Sequence, residues 1–144
     1  MIDTHCHLNF KAFENDFDEV IKRAFENGVK KIINVGAQLS SSKRAIEFAN
    51  SHENLYATVG IHPHHTDKLE KDWEKELEVL ALNKKVVAIG ECGIDFYQYQ
   101  SNNIVDPKLQ EELFAKEKSI VLGSYSDDLL ILPRKPLIAF GIIK

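Results

Sequence analysis

Four times in the first 115 residues a short apolar run gives way to a helical pattern, and this alternation limits the fold more than any single residue does. The runs are residues 1–8, 31–36, 55–61 and 85–90, the second carrying Ile32, Ile33 and Val35 and the fourth Val86, Val87 and Ile89. After the first run, Phe13, Phe17, Val20, Ile21, Ala24 and Phe25 recur at helical spacing, and Gly28 stands where a helix commonly ends. Ser40, Ser41 and Ser42 offer a cap for a helix with Ala45, Ile46 and Ala49, and Asp67 can open one with Trp73, Leu77 and Leu80. Asp106-Pro107 starts a fourth helix through Leu109, Leu113 and Phe114. Strands alternating with helices through short links predict parallel β/α units, in a barrel or a doubly wound sheet. Residues 116–144 differ in kind. The helical pattern weakens from Lys116, and runs at 129–133 and 137–143 predict one or two strands. The chain therefore divides into a β/α part, 1–115, and a divergent tail, 116–144, with 98–103 the nearest thing to a linker.

Chemistry concentrates where the strands end. His5 and His7 are two apart on a strand and so face the same way, roughly 6.5 Å apart in the backbone, near enough to converge on one ion with bonds of about 2 Å. The alternative for this pair is two exposed histidines at a chain terminus. Gly60-Ile61-His62-Pro63-His64 and Gly90-Glu91-Cys92-Gly93-Ile94-Asp95 follow the third and fourth runs. All three motifs fall at the carboxyl ends of successive strands, the rim where β/α barrels assemble active sites, and this favours the barrel. Imidazoles suit transition-metal ions, and the Glu91 carboxylate can ligate one cation or bridge two. His5, His7 and Glu91 are thus the candidate metal ligands. Glycines on both sides of Glu91-Cys92 suggest a backbone pressed close to something. His62 and His64, split by a stiff proline, can steer a phosphate, donate hydrogen bonds or ligate more distantly, and are assigned to substrate binding. Asp95 either orients a ligand or caps the following turn. Asp3 suits a hydrogen bond better than ligation, Cys6 points away from the two histidines as a buried thiol, and His52 and His65 are read as surface residues.

A formal charge of -4 gives no general attraction to nucleic acid or anionic membranes, so contact with a phosphate chain needs metal ions or a local basic patch. The two cysteines lie within the motifs, not in a disulfide framework, which fits a reducing compartment. No leader-like apolar region follows Met1, and no apolar run reaches the eighteen or so residues of a membrane span. A cytoplasmic protein without a membrane partner is expected.

In this order, Asp3-Thr4-His5-Cys6-His7-Leu8, Gly60-Ile61-His62-Pro63-His64 and Gly90-Glu91-Cys92-Gly93-Ile94-Asp95-Phe96-Tyr97 resemble the opening half of the TatD family of metal-dependent deoxyribonucleases. The segment 109–114 is similar to the family's next helix. The resemblance implies an amidohydrolase-like TIM barrel and hydrolysis of DNA phosphodiesters at a divalent-metal centre of Mg, Mn or Zn. His5 and His7 would hold one metal and Glu91 would contact both ions of a two-metal site. Against that pattern stand several departures. A full barrel takes about 250 residues and this chain has 144, so an incomplete α/β barrel, about its first half, is expected. No histidine follows His65, Leu132-Pro133-Arg134 puts leucine where the family has a ligand histidine, and Glu117 stands where glutamine is common. No catalytic residue is assigned. The chain reads either as a truncated enzyme running into an unrelated tail or as a trimmed relative that binds metal or a partner without turnover. An ester or amide hydrolase, such as an aminoacyl-tRNA deacylase, is the alternative activity. Open sheet edges would invite self-association.

Overall fold

Strands β1 (Ile2–Cys6), β2 (Lys31–Val35), β3 (Leu55–Val59), β4 (Val86–Cys92) and β5 (Leu137–Phe140) form one sheet, each parallel to its neighbour, in the order β1-β2-β3-β4-β5. The computed structural model describes residues 1–98, 105–123 and 137–140. The run expected at 129–133, the 132–134 tripeptide and the linker beyond Gln98 lie outside the described residues. Of the run expected at 137–143, residues 137–140 are a strand paired with β4. A doubly wound sheet reverses its strand order at a switch point, whereas this one winds in a single direction, as a (β/α)₈ barrel does. It also curls. On a flat sheet the tips of β1 and β4 would stand about 14 Å apart, three spacings of about 4.8 Å. In the structure His5 Nε2 lies 3.0 Å from Glu91 Oε1. The architecture is half of a TIM-type α/β barrel.

The helices are α1 (Phe17–Glu26), α2 (Leu39–Ser51), α3 (Trp73–Ala81) and α4 (Pro107–Gly123). In α2 the buried residues Ser42, Ala45, Ile46 and Ala49 form an i, i+3, i+4, i+7 stripe of mostly small side chains. They let the helix settle closely on β3, whose Leu55, Ala57 and Val59 are fully buried. Leu77 of α3 and Leu113 of α4 join the same core, each fully buried apolar side chain contributing about 2 to 3 kcal/mol.

Several boundaries differ from the sequence expectation. Lys11–Phe13 is a separate 3₁₀ turn, so α1 begins only at Phe17. Gln38, with Ser41, forms the capping box of α2, which places the three serines inside the first turn. Asp67 lies in a 3₁₀ segment, Pro63–Lys68, and α3 starts at Trp73 after Asp72, whose φ is 66°. The turn opened by Pro63 uses up the residues that would otherwise have begun the helix, and the buried pair Trp73 and Leu77 appears only beyond it. Along α4 the buried stripe is Gln110, Leu113, Glu117 and Ile120, while Leu109 is exposed. The helix therefore runs on past Lys116, because two polar residues occupy inward positions that a hydrophobic pattern does not register.

Candidate metal centre

β1 delivers His5 and His7 through an irregular edge. Its pairing with β2 shifts register between Asp3 and Cys6, and there the His5 amide donates to Asp3 Oδ1 at 3.1 Å. The turn that follows is fastened to β2 and α2 by Asn9, almost fully buried, whose Nδ2 donates to Val35 O at 3.0 Å and to Ser41 O at 2.9 Å. His7 Nδ1 lies 3.0 Å from the same Val35 carbonyl. A carbonyl only accepts, so Nδ1 carries the proton and Nε2 presents a lone pair. Cys6 points elsewhere, its Sγ donating to Ile33 O at 3.6 Å, and burial pushes its pKa up to about 11, which keeps it a thiol.

β4 delivers Glu91 from a strained backbone. Glu91 has φ 57°, a left-handed conformation that costs a non-glycine residue about 1–2 kcal/mol. The flanking glycines have separate causes. A side chain on Gly90 would meet Thr58 Oγ1 at 2.7 Å, and Gly93 turns at φ 145° with open space around it. Gly60, at the tip of β3, is tighter still, since a Cβ there would stand 1.7 Å from Gly90 O. The twist aims the Glu91 carboxylate across the barrel mouth, 3.0 Å from His5 Nε2 and 3.9 Å from His7 Nε2. The two Nε2 atoms are 3.2 Å apart, and all three ligand atoms fit within 4.8 Å of one another. Donors bound at about 2 Å to one ion in tetrahedral geometry stand about 3.3 Å from each other, a spacing close to that of this set, so the three side chains fit a single divalent cation.

With fold and site in view, comparison with known proteins is decisive. The profile of the family described as TatD related DNase matches residues 2–123. The chain belongs to the TatD-related DNase family. Among its relatives, the 3'-5' ssDNA/RNA exonuclease TatD of Enterobacter lignolyticus is 33% identical over 120 residues, covering 83% of this chain and 45% of the relative. The uncharacterized metal-dependent hydrolase YabD of Bacillus subtilis is 38% identical over 121 residues, covering 81% and 44%. The crystal structure of YJJV, a TatD homolog from Escherichia coli K12, superposes with a TM-score of 0.73 at 30% identity, covering 84% of this chain and 46% of that one. This TatD-family chain spans about half the length of the curated relatives it matches.

Beside the first cluster this TatD-family half-barrel carries a second, drier one. His64 and Asp95 are almost fully buried, with His64 Nε2 3.1 Å from Asp95 Oδ2, and His62 Nε2 is 4.0 Å from the same oxygen. The His64 amide donates to His62 Nδ1 at 3.2 Å, so that nitrogen is bare and the neutral ring carries its proton on Nε2. Burial lowers the His62 pKa below the ordinary imidazole value, partly offset by the Glu91 and Asp95 carboxylates, which keeps the ring neutral near pH 7. Of the two roles left open by the sequence, Asp95 has the cap, its Oδ1 accepting from the Tyr97 amide at 2.8 Å, while Oδ2 meets His64, which is outside the candidate ligand set. His65, read as a surface residue, is half-buried and pairs with Gln38 at 3.1 Å.

Sequence reading assigned no role to the residues that hold these loops. Gln110 of α4 accepts from the Asp95 amide at 2.7 Å and donates to Asp95 O at 3.2 Å and Val105 O at 2.9 Å. Two turns further along the same face, Glu117 Oε1 accepts from the Ile61 amide at 2.7 Å. Its Oε2 is buried with no hydrogen-bond partner among the described residues, and burial raises the Glu117 pKa to about 8. The available signal was the spacing: Gln110, Leu113, Glu117 and Ile120 share one face, with polar residues at inward positions.

Proposed function

We propose that this chain supplies the first half of a metal-dependent phosphodiesterase site acting on single-stranded nucleic acid, with DNA as the leading substrate. The reading is carried by one observation, the convergence of His5, His7 and Glu91 on an open strand-tip rim in a TatD-family barrel. These three residues would hold the cation, Mn²⁺ or Zn²⁺ by donor type and Mg²⁺ by analogy with nucleases, and Glu91 has the second oxygen needed to bridge a pair. A divalent ion bound there supplies Lewis acidity toward a phosphate oxygen and acidifies water. The residues do the rest. Val35 O sets the His7 tautomer, the left-handed turn sets the Glu91 carboxylate, and His62 Nε2–H is the donor for a non-bridging phosphate oxygen. His64 acts from beneath, through Asp95, so substrate binding divides into contact by His62 and support by His64. Cys6 and Cys92 are free cysteines, and this supports a reducing, cytoplasmic setting. β1, a sheet edge with three of five residues exposed, supports self-association, which light scattering at high concentration would register.

Calorimetry with Mn²⁺ and turnover of a single-stranded oligodeoxynucleotide test the proposal together. Metal binding that is lost in His5→Ala and Glu91→Gln, with nucleotide release requiring the same ion, is expected. Unchanged Mn²⁺ affinity in both variants would overturn the site. Release of an amino acid from charged tRNA in place of nucleotides would replace the substrate, and metal binding without turnover on either would leave a binding module.

A further inference from the structure

Among the described residues the large exposed hydrophobic side chains are not scattered evenly. Phe10, 47% exposed, follows the β1 histidines by three residues, and exposed Ile94, Phe96 and Tyr97 follow Glu91. Isolated exposed apolar residues are ordinary on protein surfaces, but Phe10 is not isolated. Its ring stacks on the His7 imidazole at 4.5 Å between centroids and 15° between planes. Its backbone is held at both ends, the amide donating to His7 O at 3.0 Å and the carbonyl accepting from the Phe13 amide at 3.0 Å. Asn9, immediately before it, is buried and bonded to β2 and α2. The result is a rigid aromatic plate, one face against a candidate metal ligand and much of its surface in solvent.

From this geometry we infer that Phe10 is a stacking platform for an unpaired nucleobase, placing the base beside the phosphodiester that the His5, His7 and Glu91 pocket would engage. The inference rests on the metal reading given above and adds to it the part of the substrate that is recognised. Three points support a base as occupant. Every nucleobase offers a π face to a fixed aromatic ring, with no demand on sequence. The ring is continuous with the candidate phosphate site through its contact with His7, and base and phosphate are adjacent parts of one nucleotide. A chain with a formal charge of -4 has little general attraction for polyanions, so stacking supplies affinity that bulk charge does not. Only an unpaired base can lie on the plate, because in a duplex both faces are already stacked. The platform therefore selects single strands or frayed ends.

The test measures fluorescence anisotropy with a labelled phosphorothioate hexathymidylate and with an abasic phosphorothioate hexamer of the same charge, in Mn²⁺, on the whole chain. The thymidylate should bind about tenfold more tightly than the abasic chain, the usual effect of one stacked base. Phe10→Leu should erase that gap and Phe10→Trp should keep it, while calorimetric Mn²⁺ affinity stays unchanged in both. Equal binding of the two oligomers by the unmodified chain, binding of neither, or a gap that survives Phe10→Leu would overturn the platform and leave the metal reading standing. If Phe10→Leu weakens Mn²⁺ binding, Phe10→Trp decides: a retained gap is expected and a lost one overturns the inference. An unmodified chain that binds no Mn²⁺ would sink the metal reading and the platform with it.

Discussion

The molecule contains two His-x-His motifs at strand tips, and their opposite treatment shows how a fold assigns chemistry. In His5-Cys6-His7 the ring of His7 donates a hydrogen bond from Nδ1–H to a backbone carbonyl and turns a bare Nε2 toward Glu91 on an open rim. In His62-Pro63-His64 the ring of His62 accepts a hydrogen bond from a backbone amide at Nδ1, so its Nε2 carries the hydrogen, and His64 lies buried against Asp95. The same residue pair thus yields a lone pair, on His7, at one tip and a donor, on His62, at the other. Neither the imidazole nor its spacing makes the difference. The backbone group facing Nδ1 does.

Four measurements would break or sharpen this contrast. The largest effect is expected from Asp95→Ala, which removes the partner of His64 and the cap of the Tyr97 amide in a dry region. Chemical denaturation should show a loss of about 3 kcal/mol, with Mn²⁺ affinity changed far less than stability. A stability change under 1 kcal/mol would mean that the second cluster is not the dry scaffold described. Next comes the pH dependence of Glu117, which bonds the residue before His62. Its folded pKa of about 8 exceeds the value of 4.5 for a free carboxyl, so the unfolded chain releases this proton first. Stability contributed below pH 4.5 is therefore lost progressively as pH rises toward about 8. Glu117→Gln should flatten that slope in denaturation series run from pH 5 to pH 8. An unchanged slope would refute the assignment.

A smaller effect separates the motifs directly. His7→Ala should lower Mn²⁺ affinity at least tenfold by calorimetry, and His62→Ala by less than twofold, because only the first presents a lone pair. Equal losses would erase the tautomer distinction. The smallest effect is expected at Glu91, where glycine relieves the left-handed strain. Glu91→Gly should abolish metal binding while raising stability by about 0.5 to 1 kcal/mol, a gain readable as a rise in thermal midpoint. A loss of stability instead would show that the carboxylate also braces the rim.

Much of the fold was legible because β/α repetition writes itself into hydrophobic period. Four runs separated by helical stripes yielded four strands, and the alternation predicted their parallel order. The candidate ligands were legible as well, since His-x-His and a glycine-flanked glutamate are local patterns. Illegible were the devices that make these residues converge. The register shift in β1, the left-handed turn at Glu91 and the approach of Gly60 to Gly90 are backbone events governed by neighbouring strands. The bonding roles of Gln110 and Glu117 were not legible because a hydrophobic pattern treats inward polar residues as gaps, whereas here they bond the loops after β4 and β3.

From the amino-acid order alone came the class of the fold, the family resemblance and the residue types at each strand tip, because these depend on local period and short motifs. Tertiary structure alone decided which nitrogen of His7 and of His62 is left to face the rim, that Glu91 reaches His5 across three strand spacings, and that Asp95 and Glu117 are buried. Tautomer, reach and burial depend on groups distant in the chain. Sheet curvature and the packing of α4 bring those groups together.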